Sequence, residues 1–523
     1  MARGLTAAAR PTAVARPTAV ARPKAAVRLT AVVRVAAVVR VAAVVRVAAA
    51  VRLTAVVRVA AAALSLVSLL ALTSCTGKEA GEQPQRAADP PRIVVASGQD
   101  VTGKNGIRQQ LIDAWNAKEG EHGYRARLVE LPGSADQQRS QLLGALQSGG
   151  AAYDVVNLDV TWIPEFAAAG LIRPLTGAAV KAPGDIIPSV DSTSFWDGER
   201  YAVPFNSDVG LLYYRKDHLR SLGTSRARLD AGVTWDDLRD LIDTVNDRQK
   251  PEGYKDGWTT QLAAYEGRTV NAIEAFASAV PDFALTDEDG RYAADEARLT
   301  AGVTELRERT ASPYMLGEAS TSREAESLSA FAEGRTTFLR HWPYVYPTLF
   351  ETFKGDLGVA RLPGKAVLGG QNLAVTSSTS EQRSAKAAEL IAFLTDPDSE
   401  RCLLRAGFAA TRTSAYQEPG STPECRHAAA YSGSPSASPT GESAELKAPD
   451  RLADGVSYSR DILLPALSEA VQRPRTPLYG AVTQTLITEL DALYGPRPAG
   501  ASRPGDAQIA RSLDEALSKV LPG

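Results

Sequence analysis

The fold is decided by three short apolar runs, RIVVAS (92–97), YRARLVEL (124–131) and YDVVNLDV (153–160). Their lengths are typical of buried strands. The residues between them carry helical patterns, one over 107–119 and one that begins with the capping-box sequence Ser134-x-x-Gln137. Strands that alternate with helices in this way predict βαβ units and a mostly parallel sheet, which is an α/β fold.

Downstream of about Tyr213 the pattern becomes predominantly helical. Thr234 has the position and the residue type of an N-cap. The apolar positions of the helix after it share one face, and they are Leu238, Leu241, Ile242 and Val245. Further helices are predicted over 270–278, 297–308, 325–332, 385–394 and 482–493. The insert 432–450 is rich in Ser, Pro and Gly and is predicted to be a surface loop.

The N-terminal part, residues 1–75, has the features of an export signal. Residues 12–59 repeat a six-residue Ala/Val/Arg unit, and the apolar run 60–72 is shorter than the ~20 residues that a transmembrane helix needs. The sequence Leu72-Thr73-Ser74-Cys75 resembles a lipobox, and residues 76–91 have the composition of a flexible tether. We therefore predict that Cys75 is lipidated and becomes the mature N-terminus. The alternative is an ordinary secretory signal with an incidental cysteine.

The charge of the chain is divided unevenly. Residues 1–74 carry 11 Lys and Arg and no acidic residue. From Cys75 onward, 47 basic residues stand against 60 acidic ones, which is a formal net charge of −13. Such an acidic surface argues against nucleic acid as a partner. The 449 residues from Cys75 onward are enough for two or three domains on length alone.

The chain offers few residues for metal, cofactor or covalent chemistry. Besides Cys75 it has only Cys402 and Cys425, which in an exported protein predict a disulfide, with two free buried cysteines as the alternative. The 4 scattered histidines predict no metal site. Nucleotide, phosphate, zinc and serine-hydrolase motifs are all missing, so we predict no cofactor and no catalytic residue. Paired carboxylates could still assemble in space, as in a glycosidase.

Five segments, taken in order, carry a resemblance to a known family. They are YAVPFNSDVGLLYYRKDHL (201–219), TWDDLRDLI (234–242), AFAEGRTTFLRHWPY (330–344), LGGQNLAVTSSTS (368–380) and AAELIAFLTDPDSERCLLRAGFAATRTSAY (387–416). From about Arg92 to Leu493 the chain resembles the bacterial extracellular solute-binding proteins of carbohydrate ABC importers. Within that family, NLDVTWIPEFAAAGLIRPL (157–175) and FLRHWPYVYP (338–347) are most similar to trehalose- and maltose-type binders.

The resemblance implies a two-lobe periplasmic-binding-protein-like fold of type II, with hinged α/β lobes and a ligand cleft between them. Lobe one would comprise 92–207 with 361–400, and lobe two 208–360 with 401–523. The chain would cross between the lobes near 206–208, near 361–363 and again near 400.

The candidate ligand-binding residues follow from the resemblance and from sugar chemistry, in which carboxylates and amides pair with hydroxyls and aromatic rings cover apolar ring faces. The candidates are Asp159, Trp162, Asn206, Asp208, Glu266, Trp342, Tyr344, Gly370, Gln371 and Arg473. Asp159 and Trp162 lie at the C-terminal end of a predicted parallel strand, where open α/β sheets bind ligands. For Asp159 a helix N-cap is the alternative. Asn206 and Asp208 could instead be turn residues.

Glu266 and Arg473 match residues with which the family contacts sugars. A solvated surface position is the alternative for Glu266, and for Arg473 the alternatives are a surface salt bridge and a cleft role for Arg475 instead. Trp342 and Tyr344 flank a proline after the predicted strand TTFLRHW (336–342), and core packing is the alternative for both.

The second predicted crossing departs from the pattern of the family. Many relatives have a tryptophan after its Gly-Gly pair, whereas this chain has Gly369-Gly370-Gln371. An amide in place of an aromatic face would change ligand preference within the sugar class. Trp115 and Trp235 occupy helical positions and are predicted to be packing residues instead.

The function predicted from this resemblance is the capture of a small-molecule sugar, such as the glucose disaccharides trehalose or maltose. A lipid-anchored monomer on the extracellular face of the membrane would deliver the sugar to the permease subunits of an ABC importer. It would make or break no bond. The alternatives are a secreted carbohydrate-active enzyme (glycosidase or lyase) and a sensory or adhesion lipoprotein on the same fold.

Overall fold

A computed structural model describes residues 91–99, 106–119, 123–149, 153–220, 229, 232–248, 250–417, 449–452, 454–495 and 502–522. Several predicted features lie outside these residues: the repeat, the lipidation site Cys75, the tether, Cys425 and most of the insert 432–450.

The strands of the described residues are β1 (Arg92–Gly98), β2 (Arg125–Leu131), β3 (Val155–Asp159), β4 (Phe195–Trp196), β5 (Glu199–Arg200), β6 (Val203–Val209), β7 (Leu211–Arg215), β8 (Asp256–Thr259), β9 (Thr336–His341), β10 (Leu357–Arg361) and β11 (Leu368–Val375). The helices are α1 (Ile107–Glu119), α2 (Ala135–Gln147), α3 (Ile163–Ala168), α4 (Pro188–Asp191), α5 (Lys216–Arg220), α6 (Trp235–Asp247), α7 (Glu266–Ala279), α8 (Glu296–Arg309), α9 (Glu324–Ala332), α10 (Tyr346–Phe353), α11 (Glu381–Leu394), α12 (Pro397–Arg405), α13 (Leu464–Ser468), α14 (Tyr479–Glu489), α15 (Asp491–Tyr494) and α16 (Asp506–Val520).

The first sheet has the strand order β2–β1–β3–β11–β6. As the alternation of patterns predicted, β2, β1 and β3 are parallel to one another. In contrast, β11 runs antiparallel to both of its neighbours. It enters from the second sheet without the helical crossover that joins parallel neighbours, so its direction is not constrained to be parallel.

The second sheet has the order β10–β7–β9–β8, with only β8 and β9 parallel. The sequence predicted mainly helices in this region and recognised β9 alone as a strand. The predicted helices are present: α6 begins after Thr234, whose hydroxyl accepts from Asp237 N at 3.1 Å. One helix predicted over 482–493 is divided into α14 and α15.

The chain passes between the two sheets through short connections. Strand β6 ends at Val209 and β7 begins at Leu211, so Gly210 is the single residue between them. Residues 362–367 join β10 to β11, and Ala409 forms an antiparallel bridge with Ser207 of β6. The lobe boundaries given above remain a prediction.

Apolar clusters pack against both faces of the first sheet. Trp115 is 1% exposed, and its ring meets Phe393 edge to face at 5.6 Å, which confirms its packing role. Trp235 is half-buried, with its Nε1 donating to Pro363 O at 3.0 Å. Cys402 is buried in α12 and disulfide-bonded, but the predicted partner Cys425 lies outside the described residues.

Candidate functional site: a polar cluster between the two sheets

One face of the first sheet carries a row of polar side chains. Gln371 of β11 pairs with Asp159 of β3 on one side and with Asn206 of β6 on the other. Directly paired residues of neighbouring strands point to the same face, so the three side chains lie side by side. Because strand side chains alternate, Asn157 and Asp208 share this face. Four of the predicted residues are therefore brought together: Asp159, Asn206, Asp208 and Gln371.

Arg108 of α1 lies against this row, although the sequence analysis did not identify it. The side chain is buried, and its Nη2 donates to Asn206 Oδ1 at 3.3 Å and to Gln371 Oε1 at 2.5 Å. Asn157, also missed, donates through Nδ2 to the same Gln371 Oε1 at 3.1 Å. These bonds engage the amide oxygens of Gln371 and Asn206. Asn157 could have been found from the sequence, because it interrupts the apolar run of a buried strand.

Arg473 forms ion pairs with one residue of the first sheet and with one residue of a helix beside the second sheet. Its Nη2 lies 2.8 Å from Asp159 Oδ1, and its Nη1 lies 2.7 Å from Glu266 Oε1 at the start of α7. Burial disfavours the charge on Arg473, but Asp159, Tyr479 and Glu266 outweigh it and raise the pKa well above its ordinary value. Arg475, the rival candidate, donates instead to Phe195 O at 2.5 Å.

Glu266 is buried rather than solvated. Besides Arg473, its carboxylate accepts hydrogen bonds from the hydroxyls of Tyr479 and Thr483 of α14. Burial raises the pKa of Glu266, while Arg473 and the hydrogen bond from Tyr479 oppose that shift. The predicted trio Asp159, Glu266 and Arg473 thus forms one ion network. Asp159 also has its alternative role as an N-cap, because it precedes the short 3-10 helix Val160–Trp162 and its Oδ1 accepts from Thr161 N at 3.0 Å.

Asp208 lies where β6 approaches Gly210. Burial raises the pKa of its carboxyl to about 7, with Arg108 opposing the shift and Asp159 adding to it. Its side chain is partly exposed, yet the Oδ1 atom is buried. The following buried atoms have no hydrogen-bond partner within the part of the chain that the structure describes: Asn157 Oδ1, Asn206 Nδ2, Asp208 Oδ1 and Arg473 Nε. Unpaired buried atoms also occur elsewhere among the described residues, such as Trp115 Nε1, so it is the grouping of these four in one polar cluster that makes them candidate ligand contacts.

Trp342 follows directly after β9 and is partly exposed. The Arg340 guanidinium carbon lies 3.9 Å from the centroid of its ring. A Cβ placed on Gly369 would lie 3.3 Å from the ring, so the absence of a side chain there leaves room beside it. Tyr344 is also partly exposed; it packs against two apolar clusters and meets His341 edge to face at 5.4 Å, while Trp342 packs against a third cluster.

Two further candidates are placed by packing and backbone geometry. Trp162 is 5% exposed and belongs to an apolar cluster with Ile163 and Phe166, so it is a packing residue, and its ligand contact stays a prediction. Gly370 has φ +114°, and a Cβ there would lie 2.4 Å from Asn206 O. Only glycine therefore fits where β11 passes Asn206.

The sequence is matched by the model of a known family. The family model of the bacterial extracellular solute-binding proteins covers residues 102–401. The chain belongs to this family. A probable ABC transporter-binding protein of Deinococcus radiodurans is 27% identical over 322 residues, which are 58% of this solute-binding protein and 73% of the relative.

Solved structures establish the type II fold with two lobes. Maltose-bound T. maritima MalE3 has a TM-score of 0.64 and 23% identity, over 82% of this chain and 100% of that one. The GacH receptor of Streptomyces glaucescens, solved unliganded and with acarbose, has a TM-score of 0.63 and 17% identity, over 83% and 98% of the chains. Among the described residues, no helix has the length and apolar character to cross a membrane.

Proposed function

We propose that this solute-binding protein captures a neutral ligand rich in hydroxyl groups, that is, a sugar. The observation that carries the proposal is the set of buried, unpartnered atoms in the polar cluster. Asn206 Nδ2 and Arg473 Nε are donors, whereas Asn157 Oδ1 and Asp208 Oδ1 are acceptors. A hydroxyl group both donates and accepts, so a ligand with several hydroxyls can satisfy both kinds of atom.

The charges of the cluster favour a neutral ligand. Three carboxylates, those of Asp159, Asp208 and Glu266, face the guanidinium groups of Arg108 and Arg473. Because the pKa of Asp208 is raised to about 7, the cluster carries a net charge between −1 and zero near neutral pH. An anionic ligand would therefore meet no net positive charge, and a cationic ligand at most a fraction of one negative charge, to offset the loss of its hydration.

The partly exposed ring of Trp342 supports a pyranose rather than a linear polyol. An indole ring can cover the C–H face of a sugar ring while its edge hydroxyls reach carboxylates and amides. Two of the similar proteins, MalE3 and the GacH receptor, were solved with maltose and with acarbose bound. We take trehalose and maltose as the first candidates, with Asn206, Asp208 and Arg473 as hydroxyl partners through their unpartnered atoms. Asp159, Glu266 and Gln371 stay candidate partners, although bonds within the protein already engage oxygen atoms of all three.

Titration calorimetry with trehalose, maltose and mannitol, plus a charged phosphodiester as a contrast, tests the proposal. We expect one of the disaccharides to bind and the phosphodiester not to bind. Binding of the phosphodiester with no response to any sugar would overturn the proposal. Product formation from either disaccharide would instead support the alternative of a carbohydrate-active enzyme.

We further propose that the protein delivers its sugar to an ABC importer from a lipid anchor at Cys75. The name of the Deinococcus relative supports the transporter partner. The apolar run, the small residues and the polar tether in that order support the anchor. The variant Cys75→Ala should be released from the membrane in fractionated cells. If it stays in the membrane fraction, the anchor lies elsewhere.

A further inference from the structure

A buried ion pair lies behind the polar cluster. The side chains of Glu274 in α7 and Arg340 in β9 are 2% and 1% exposed. They are joined by two bonds, Nε to Oε2 at 3.1 Å and Nη2 to Oε1 at 2.5 Å. The remaining Nη1 of Arg340 donates to Gln261 Oε1 at 3.4 Å. Its nitrogens are therefore all committed within the protein, and the pair is not itself a ligand site.

The pair touches both direct connections between the two sheets. Glu274 Oε1 accepts from Val367 N, at 3.2 Å, immediately before β11 begins. At the other connection, a Cβ on Gly210 would lie 2.5 Å from Glu274 Oε1 and 2.9 Å from Arg340 Nη2. Glycine at position 210 thus allows the pair to pack against the chain where it leaves the first sheet.

The same arginine supports Trp342. Its guanidinium carbon lies 3.9 Å from the centre of the indole ring, which is the distance of a stacked cation–π contact. One face of the indole is therefore covered by Arg340. Two bonds to Glu274 fix the plane of the guanidinium, and that plane in turn fixes the plane of the indole.

Stability alone does not explain this arrangement. Replacing a buried ion pair by apolar side chains of similar volume is often neutral or stabilising, because two charges must lose their hydration. We propose that Glu274 and Arg340 are positioning residues, which hold the Trp342 ring in its stacking orientation. They also fix the position of the ring relative to Gly210 and to the start of β11. The inference rests on the proposed function, in which Trp342 stacks on the sugar.

The test needs a variant that removes the pair without leaving a buried charge. Glu274→Leu combined with Arg340→Met does so, and Arg340→Lys keeps the charge but loses the planar fork. The readout that needs no ligand is the ¹⁹F spectrum of protein labelled with 5-fluorotryptophan, with the Trp342 line assigned by Trp342→Phe. The matched control is Arg268→Lys, because Arg268 is 3% exposed, pairs with Asp491 and does not contact Trp342.

We expect the Trp342 line to shift and broaden in the double variant and in Arg340→Lys, with the melting temperature of the double variant kept or raised. The line should be unchanged in Arg268→Lys. Affinity for maltose or trehalose should fall about tenfold in the first two variants and remain unchanged in the control.

An unaltered Trp342 line in folded Arg340→Lys and in the double variant would overturn the positioning role. If the double variant does not fold, Arg340→Lys alone decides the question. If the line changes but the wild-type protein binds neither disaccharide, the positioning role stands and the sugar proposal fails. If the disaccharides bind with undiminished affinity although the line changes, the ring orientation does not serve binding and the inference is wrong.

Discussion

The two sheets contribute to the polar cluster in different ways. From the first sheet come residues in strand interiors, such as Asn206 and Gln371, which are paired directly across β6 and β11. From the side of the second sheet come residues at the ends of elements: Glu266 begins α7, Trp342 follows β9, and Arg473 lies between α13 and α14. Backbone hydrogen bonds fix a strand position, whereas side-chain contacts fix an end position. We call the residues from the first sheet the first side of the cluster, and those beside the second sheet its second side. The first side should therefore be sensitive to backbone changes, and the second side to the loss of single side chains.

The largest effect is expected on the second side, for Arg473→Met. Removing this arginine leaves the buried Glu266 and the partly buried Asp159 without their cation, which typically costs about 3–5 kcal/mol in the free energy of unfolding. Urea unfolding measures that loss. Arg475→Met is the control, because Arg475 bonds a carbonyl rather than a carboxylate and should cost about 1 kcal/mol. Equal losses for the two variants would show that the ion network does not hold the second side.

On the first side, Gly370→Ala should destabilise the protein by about 2 kcal/mol or more. The residue has φ +114°, and the new Cβ would lie 2.4 Å from Asn206 O, so β11 must move. Gly177→Ala is the control, because nothing lies within 4 Å of a Cβ there. Its effect should stay within about 0.5 kcal/mol. A tolerated Gly370→Ala, judged by unfolding and by calorimetry, would contradict the backbone dependence of this side.

Trp342→Ala should weaken sugar binding about ten- to a hundredfold through loss of the stacking face. It should also remove most of any ligand-induced change in tryptophan fluorescence. Trp235→Ala is the control, since Trp235 packs on Trp258 with ring centroids 5.0 Å apart. That variant should lose stability and keep its affinity. The opposite outcome, with Trp342→Ala unstable but binding normally, would make Trp342 a core residue.

The smallest effect concerns the pH dependence of stability through Asp208. Its pKa is raised from 3.8 to about 7 in the folded protein, so the folded state binds more protons than the unfolded chain between these values. Stability contributed by the protonated carboxyl is therefore lost as the pH rises through about 7. The free energy of unfolding, measured without ligand, should fall from pH 5 to pH 8. This fall should be larger by about 1 kcal/mol or more in wild type than in Asp208→Asn. Equal falls in the two proteins would show that the pKa of Asp208 is not raised in this way.

The fold could be predicted where patterns are local. Helix α6 follows from Thr234 and a one-sided apolar stripe, and β1 follows from a short apolar run, because each depends on neighbouring residues alone. The direction of β11 and the strands β8 and β10 could not be predicted, since they depend on partners far along the chain.

The site divides in the same way. Asp159 could be proposed because it ends a predicted strand. Asn206, Asp208 and Gln371 could be proposed because the resemblance to the family places the crossings between the lobes near them. Arg108 could not, because an arginine near a helix start carries no local sign that its guanidinium reaches across to Asn206 and Gln371. Trp162 was proposed as a ligand contact from its position after a strand, but that position also suits the apolar cluster in which it lies.

Gly210 limits the mechanical freedom of the molecule. A link of one residue between β6 and β7 provides two soft torsion angles, so at that point one sheet can turn relative to the other but can hardly be displaced. The connection from β10 to β11 has six residues, 362–367, and can absorb the change in path length that such a turn requires. A side chain at position 210 would collide with Glu274 and Arg340, so the pivot and the charges beside it constrain each other. Any turn of one sheet relative to the other must therefore pass through the two torsion angles of this shortest link.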